Sequence, residues 1–125
     1  MRVIAHISPG PYWIGGKTVY EQGAPIEAHL DAMRRRYDEG SVLLGGPYAV
    51  GIGGIAVLEV RDMDHAMAIM DADPGVVAGV LSYELRQHVN YFDAFMGVRT
   101  DRRAAELGRR QSHRRDRADS ESKAR

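Results

Sequence analysis

The stretch Ala28–Pro47, AHLDAMRRRYDEGSVLLGGP, reads as an amphipathic helix with one histidine, a glycine stop and a short apolar strand ending in Gly-Gly-Pro. Ile26, Leu30, Met33 and Tyr37 recur at spacings of four, three and four. That is the helical period, and it predicts one buried stripe laid against a sheet. Pro25 suits the first turn, where its missing N–H would have had no partner, and Gly40 suits the left-handed residue just past the last turn. At about 100° per residue, His29 falls on the edge of the stripe, between Ile26 and Met33, and is partly directed at the core. Imidazole is the side chain that changes charge near neutral pH, so His29 is a candidate acid or base. Taken alone, such a residue is more often a helix-edge histidine with a satisfied hydrogen bond than a catalyst. On the outer face, Asp31 to Arg35, Arg34 to Asp38 and Arg35 to Glu39 are spaced for i,i+4 pairs, so the Arg34-Arg35-Arg36 run predicts a solvated face, with no aromatic interleaving of the kind nucleic-acid binding uses.

Working outward, Arg2–Ile7 alternates as a first strand, with Val3, Ala5 and Ile7 on one face and Ile4 and His6 on the other. Ser8–Gln22, SPGPYWIGGKTVYEQ, is a long loop holding the only tryptophan of the chain. Loops longer than about 12 residues in a compact domain usually have a job. After the helix, Val42–Gly46 and Gly54–Val60 predict a hairpin joined across Pro47–Gly53. The third strand is apolar on both faces, Ile55 and Val57 against Ala56, Leu58 and Val60, so something must cover its second face. Asp62 is placed to cap a second helix with Met63, Ala66, Met67 and Met70 as its buried stripe, and Asp73-Pro74 ends it. Val80–Val89 alternates as a fourth strand. The order βαββαβ predicts an α+β, ferredoxin-like fold: a four-stranded antiparallel sheet with two helices on one face.

A chain of 125 residues with 44% hydrophobic content allows one domain and a modest core. Its zero formal charge hides an asymmetry. Residues 1–98 hold 7 Lys and Arg against 12 Asp and Glu, and residues 99–125 hold 10 against 5, so a body near −5 precedes a tail near +5. We therefore expect a domain over 1–98 and a disordered charged tail over 99–125, which has almost no apolar residue to offset its ordering entropy. Cysteine is absent, which excludes disulfides and thiol chemistry and suits a reducing cytoplasm. No apolar run approaches the roughly 20 residues of a membrane span, and Met1–Ile7 alternates like a strand instead of a signal peptide.

Motifs narrow the chemistry further. Gly51-Ile52-Gly53-Gly54-Ile55-Ala56 formally matches G-x-G-x-x-A, but it opens a strand, whereas a dinucleotide site needs it to open a helix; a hairpin turn explains it. The five histidines show no ligand spacing, so no metal is expected. No serine lies in a nucleophile elbow. Asp73 before Pro74 can cap a short turn over Pro74–Ala78, which explains the residue without chemistry. Tyr12, Trp13 and Tyr20 can roof the core or lid an apolar pocket, and Lys17 and Glu21 can form a solvated pair.

The runs AHLDAMRRRYDEGSVLLGGP, GGIAVLEV and DADPGVVAGV, with the last strand, resemble the YciI-like (YCII-related) family over about residues 2–91. That resemblance implies a ferredoxin-like domain pairing into a dimeric α/β barrel, hence a homodimer, with a histidine and an aspartate as a catalytic pair at a pocket. By motif position these are His29 and Asp73. Tyr12, Trp13, Lys17, Tyr20, Glu21 and Pro47 then become the substrate-binding candidates. Ala49-Val50-Gly51-Ile52 departs from relatives that carry an acidic residue in the hairpin, and the tail after Gly97 has no counterpart. Related dimeric barrels, such as muconolactone isomerases and aromatic dehalogenases, work by proton transfer without metal or nucleotide. The expectation is a cofactor-free cytoplasmic enzyme in which Asp73 orients His29 as general acid/base for isomerisation, enolisation or elimination on a small cyclic or carbonyl substrate. The other reading is a non-catalytic ligand-binding or accessory module on the same fold.

Overall fold

The computed structural model describes residues 1–94, so the expected tail lies outside the described residues. The unit Met1–His88 contains β1 (Arg2–Pro9), a turn of 3-10 helix (Val19–Glu21), α1 (Ala24–Glu39), β2 (Val42–Pro47), β3 (Gly54–Glu59), α2 (Met63–Asp71), α3 (Pro74–Val77) and β4 (Leu81–His88). The strands form one antiparallel sheet in the order β2-β3-β1-β4. The fold is α+β, with the helices on one face of the sheet, as the element order predicts.

Alternation decides which side of each strand meets the helices. Val3 and Ala5 of β1 lie opposite Leu58 and Ala56 of β3, and all four are buried, together with Val42, Val60, Ala66, Ile69 and Met70. On the other face, Ile4 sits between Val57 and Arg86, His6 sits between Ile55 and Glu84, and Leu44 lies beside Val57. Ile4, Ile55 and Val57 are only half-buried and Leu44 is exposed, so among the described residues this apolar row has no full cover.

Helix ends follow local chemistry. Pro25 lies in the first turn of α1, and Gly40 closes it at φ 93° with its N–H bonded back to the carbonyls of Arg36 and Tyr37. The Asp62 side chain caps α2 by accepting from the His65 N–H at 2.8 Å. At the far end of that helix, Tyr83 of β4 donates its hydroxyl to Asp71. The carboxylate beside it, with some burial, pushes the phenol up to about 12.

Both helices are turned from the orientation that hydropathy predicts. Leu30 and Tyr37 are each 57% exposed, while Ile26, His29 and Met33 face inward. In α2, Met67 is exposed and Ile69 takes its place beside Ala66 and Met70 in the core. Two candidate lines share Ile26 and Met33: one adds Leu30 and Tyr37, the other adds His29. Apolarity favours the first, and tertiary pairing selects the second. Outside, Arg34 pairs with Asp38 at 3.7 Å, and Glu39 pairs with Arg36, one turn back, at 3.4 Å.

Candidate functional site

Turning α1 inward at His29 brings its imidazole against the start of α3. His29 Nδ1 lies 2.8 Å from both carboxylate oxygens of Asp73. Asp73 is 1% exposed and is among the largest fully buried side chains of the chain. Its position has a local cause: Pro74 holds Asp73 in the extended region, φ −65° and ψ 128°, at the N-cap of α3. There Oδ2 also accepts from the backbone N–H groups of Gly75 at 3.0 Å and Val76 at 3.3 Å.

These bonds fix the protonation pattern. An ionised carboxylate only accepts, so the ring nitrogen facing it must carry the proton, and Nδ1 is N–H. A buried carboxylate is costly unless donors surround it, and the imidazole with two amide groups supplies them. No described protein group bonds Nε2, and the His29 side chain keeps 13% of its surface. The neutral ring therefore offers a lone pair at Nε2, and a proton taken there creates an imidazolium against a buried anion. This is the chemistry of a general base held in one tautomer.

The long loop is fastened to the body of the domain at both of its flanks. Gly10 N donates to Val80 O and Tyr12 N donates to Gly79 O, at 2.9 and 2.8 Å. The Tyr12 ring lies on Gly79, where an added Cβ would stand 2.5 Å from Cδ2; with φ +72° the position requires glycine twice over. Trp13 packs on a small cluster of Ile26, Val80 and Leu81, together with Val76. Ile26 is one turn before His29, so the cluster under the tryptophan includes a residue of the helix that carries the imidazole. On its other flank, Val19 N donates to Gly51 O at 2.8 Å.

The remaining candidates, Tyr20, Lys17, Glu21 and Pro47, are exposed. Glu21 is bound to its own loop: Thr18 N–H and hydroxyl both donate to Oε1, at 3.1 and 3.2 Å, and hold the carboxyl below its ordinary range, with Lys17 adding to the effect. Pro47 ends β2 opposite Gly54 and is exposed. Among the described residues, none of these four is recorded in a hydrogen bond with His29 or Asp73.

Two residues escaped the sequence reading. Gly79 carries no signal until Tyr12 is seen to lie on it. Gln22 is 5% exposed and is bonded to the loop three times. Its partners are main-chain groups, so no residue pattern in the sequence marks it.

The YCII-related domain family matches residues 1–88. The chain belongs to that family. Its match ends where the first structural unit ends, at His88. A search of curated proteins finds no match. Among solved structures the chain is similar to 5-chloro-2-hydroxyhydroquinone dehydrochlorinase (TftG) from Burkholderia phenoliruptrix AC1100, in complex with 2,5-dihydroxybenzoquinone. The identity is 15%, the TM-score is 0.55, and the match covers 70% of this chain and 93% of that one, a likeness of fold.

Proposed function

We propose that this YCII-related protein is a small-molecule enzyme of the acid/base type, with His29 as the proton carrier and Asp73 as the group that orients it. The observation that carries the reading is the buried Asp73 carboxylate gripping His29 Nδ1 at 2.8 Å while no described group occupies Nε2. A histidine needed only for packing would not require a buried anion, since breaking or burying such a pair is expensive. Asp73 does cap α3, and a capping role alone accounts for the bonds to Gly75 and Val76, but it leaves the imidazole unexplained.

The chemistry follows from the tautomer. Nε2 takes a proton from carbon beside a carbonyl; the C–H electron pair moves into an enolate; and the imidazolium, held by Asp73, returns the proton at another atom or to a departing group. Return to a second carbon is isomerisation. Loss of halide from the neighbouring carbon is elimination, the class named for the dehydrochlorinase of like fold. Small cyclic carbonyl compounds and hydroxyquinones are accordingly the substrates to try first, with Tyr12 and Trp13 as the aromatic surfaces beside the pair. We further propose that the protein works as a homodimer in the cytoplasm, pairing through the uncovered row Ile4, Leu44, Ile55 and Val57. No described helix is long and apolar enough to cross a membrane.

The test is proton exchange in D2O. A panel of small cyclic ketones and hydroxyquinones, including 5-chloro-2-hydroxyhydroquinone, is incubated with the protein, and deuterium incorporation and chloride release are followed. Wild type should exchange or dechlorinate at least one member, and His29→Gln should not. A panel member that binds tightly yet is neither exchanged nor converted would favour a ligand-binding module instead.

A further inference from the structure

Gln22 has no part in the proton chemistry, yet it is one of two buried polar side chains among the described residues, the other being Asp73. Its carboxamide faces the peptide group of Ile14 in a paired arrangement. Oε1 accepts from Ile14 N at 2.8 Å, and Nε2 donates to Ile14 O at 3.2 Å. A third contact, Nε2 to Thr18 O at 3.3 Å, closes the other side of the loop. One acceptor and two donors thus meet one N–H and two carbonyls, a complement that glutamine satisfies and that no isosteric side chain reproduces. Gln22 also closes the 3-10 turn two residues before α1, so the clasped loop runs directly into the helix that carries the imidazole. Trp13, next to Ile14, packs on the Ile26, Val80 and Leu81 cluster.

We propose that Gln22 is a positioning residue: its amide clasp on Ile14 and Thr18 holds Trp13 and Tyr12 in place beside the His29–Asp73 pair, and so sets which ligand ring the site admits. The inference rests on the reading of that pair as the functional centre. The clasp itself is measured without turnover. Trp13 is the only tryptophan, so intrinsic fluorescence reports this loop alone.

Two substitutions of nearly unchanged size separate the amide code from simple filling. Gln22→Met removes every polar contact, and Gln22→Glu, when ionised, keeps the bond from Ile14 N–H but sets a carboxylate against two carbonyl oxygens. Both should release Trp13 at pH 8, with a red-shifted emission and at least a twofold rise in its quenching by acrylamide. Acidification towards pH 4.5 protonates the carboxyl of Gln22→Glu and restores one donor to pair with Ile14 or Thr18. Quenching in Gln22→Glu should then fall back towards wild type read at the same pH, and Gln22→Met should show no such recovery. Glu21 and Lys17, the charged groups of the same loop, are present in all three proteins, so their titration cancels in the comparison. At pH 8 the His29 ring should keep its Nδ1–H signature in nitrogen NMR in all three proteins. Unaltered quenching in both variants overturns the proposal. So does loss of cooperative melting together with the His29 signature, because Gln22 would then be holding the fold instead of the loop. Failure of the exchange assay with the clasp intact would count against the His29 chemistry and leave the Trp13 result standing.

Discussion

Replacing Asp73 by asparagine should reverse the tautomer of His29 while leaving the fold nearly as stable as before. The N-cap decides which way the new amide turns. Oδ2 accepts from Gly75 and Val76 N–H, so an asparagine oxygen must take that place, and its NH2 group is directed to where Oδ1 faced Nδ1. Nδ1 is 2.8 Å from both positions, so a ring N–H kept there would face an amide N–H at that distance; Nδ1 instead becomes the acceptor of the NH2 and the proton moves to Nε2. The base is lost without loss of the ring. Asparagine caps about as well as aspartate, so the stability cost of the cap is a few tenths of a kcal/mol. Asp73→Ala, by contrast, removes the cap, worth about 1 kcal/mol, and strands the buried donors that faced it, at about 1–3 kcal/mol more. For a domain of this size each kcal/mol moves the melting temperature by about 4–8 °C, so the alanine variant should melt at least about 8 °C below wild type and the asparagine variant within a few degrees. Activity should follow the tautomer: loss of general-base catalysis costs about 10²–10⁴-fold in rate, equivalent to about 3–5 kcal/mol of barrier. Long-range proton–nitrogen correlation spectra of the ring distinguish Nδ1–H from Nε2–H directly. An Nδ1–H signature retained in Asp73→Asn, or a melting loss as large as that of Asp73→Ala, would refute the reasoning.

Three further outcomes can be checked. Gly79→Ala forces a side chain into a left-handed conformation and into the Tyr12 ring, so it should lose about 2 kcal/mol by denaturant titration as the ring is pushed off Gly79; wild-type stability would show that the ring moves at no cost. Tyr83 ionises at about 12 in the fold against an ordinary 10.0, so its contribution to stability is fully present below pH 10 and drains away between pH 10 and 12 as the unfolded chain ionises first. Tyr83→Phe should therefore be less stable at pH 8, with the gap narrowing by pH 12; a constant gap would mean that the Asp71 bond does not form in solution. Sedimentation velocity at micromolar concentration should give a dimer, and Val57→Arg, at the centre of the uncovered sheet face, should give a monomer that keeps its helical circular dichroism; a monomeric wild type would remove the proposed interface.

Much of the fold was legible because strand alternation and end signals are local. The Val3, Ala5 and Leu85 alternation, the Asp62 cap, the Gly40 stop and the Asp73-Pro74 break each need only a few neighbouring residues to act. The rotation of the two helices was not legible. In α1, hydropathy selects Leu30 and Tyr37, and the line through His29 wins only because Asp73, 44 residues later, meets the imidazole. In α2, Met67 and Ile69 are both apolar, and packing against the sheet alone distinguishes them. Within the site, a histidine and an aspartate could be nominated from the sequence, and the structure sets them at 2.8 Å. Gln22 was hidden for a different reason: its partners are main-chain groups of Ile14 and Thr18, which carry no residue signature.

The claim that His29 and Asp73 act as one unit is tested most directly by the deuterium-exchange rates of wild type, His29→Gln, Asp73→Asn and the double variant on one substrate. If the carboxylate acts only through the imidazole, its removal cannot matter once the imidazole is gone. The account predicts that each single variant loses most of the rate and that the double variant is no slower than the slower single. Losses that multiply in the double variant, or an Asp73→Asn rate equal to wild type, would contradict it.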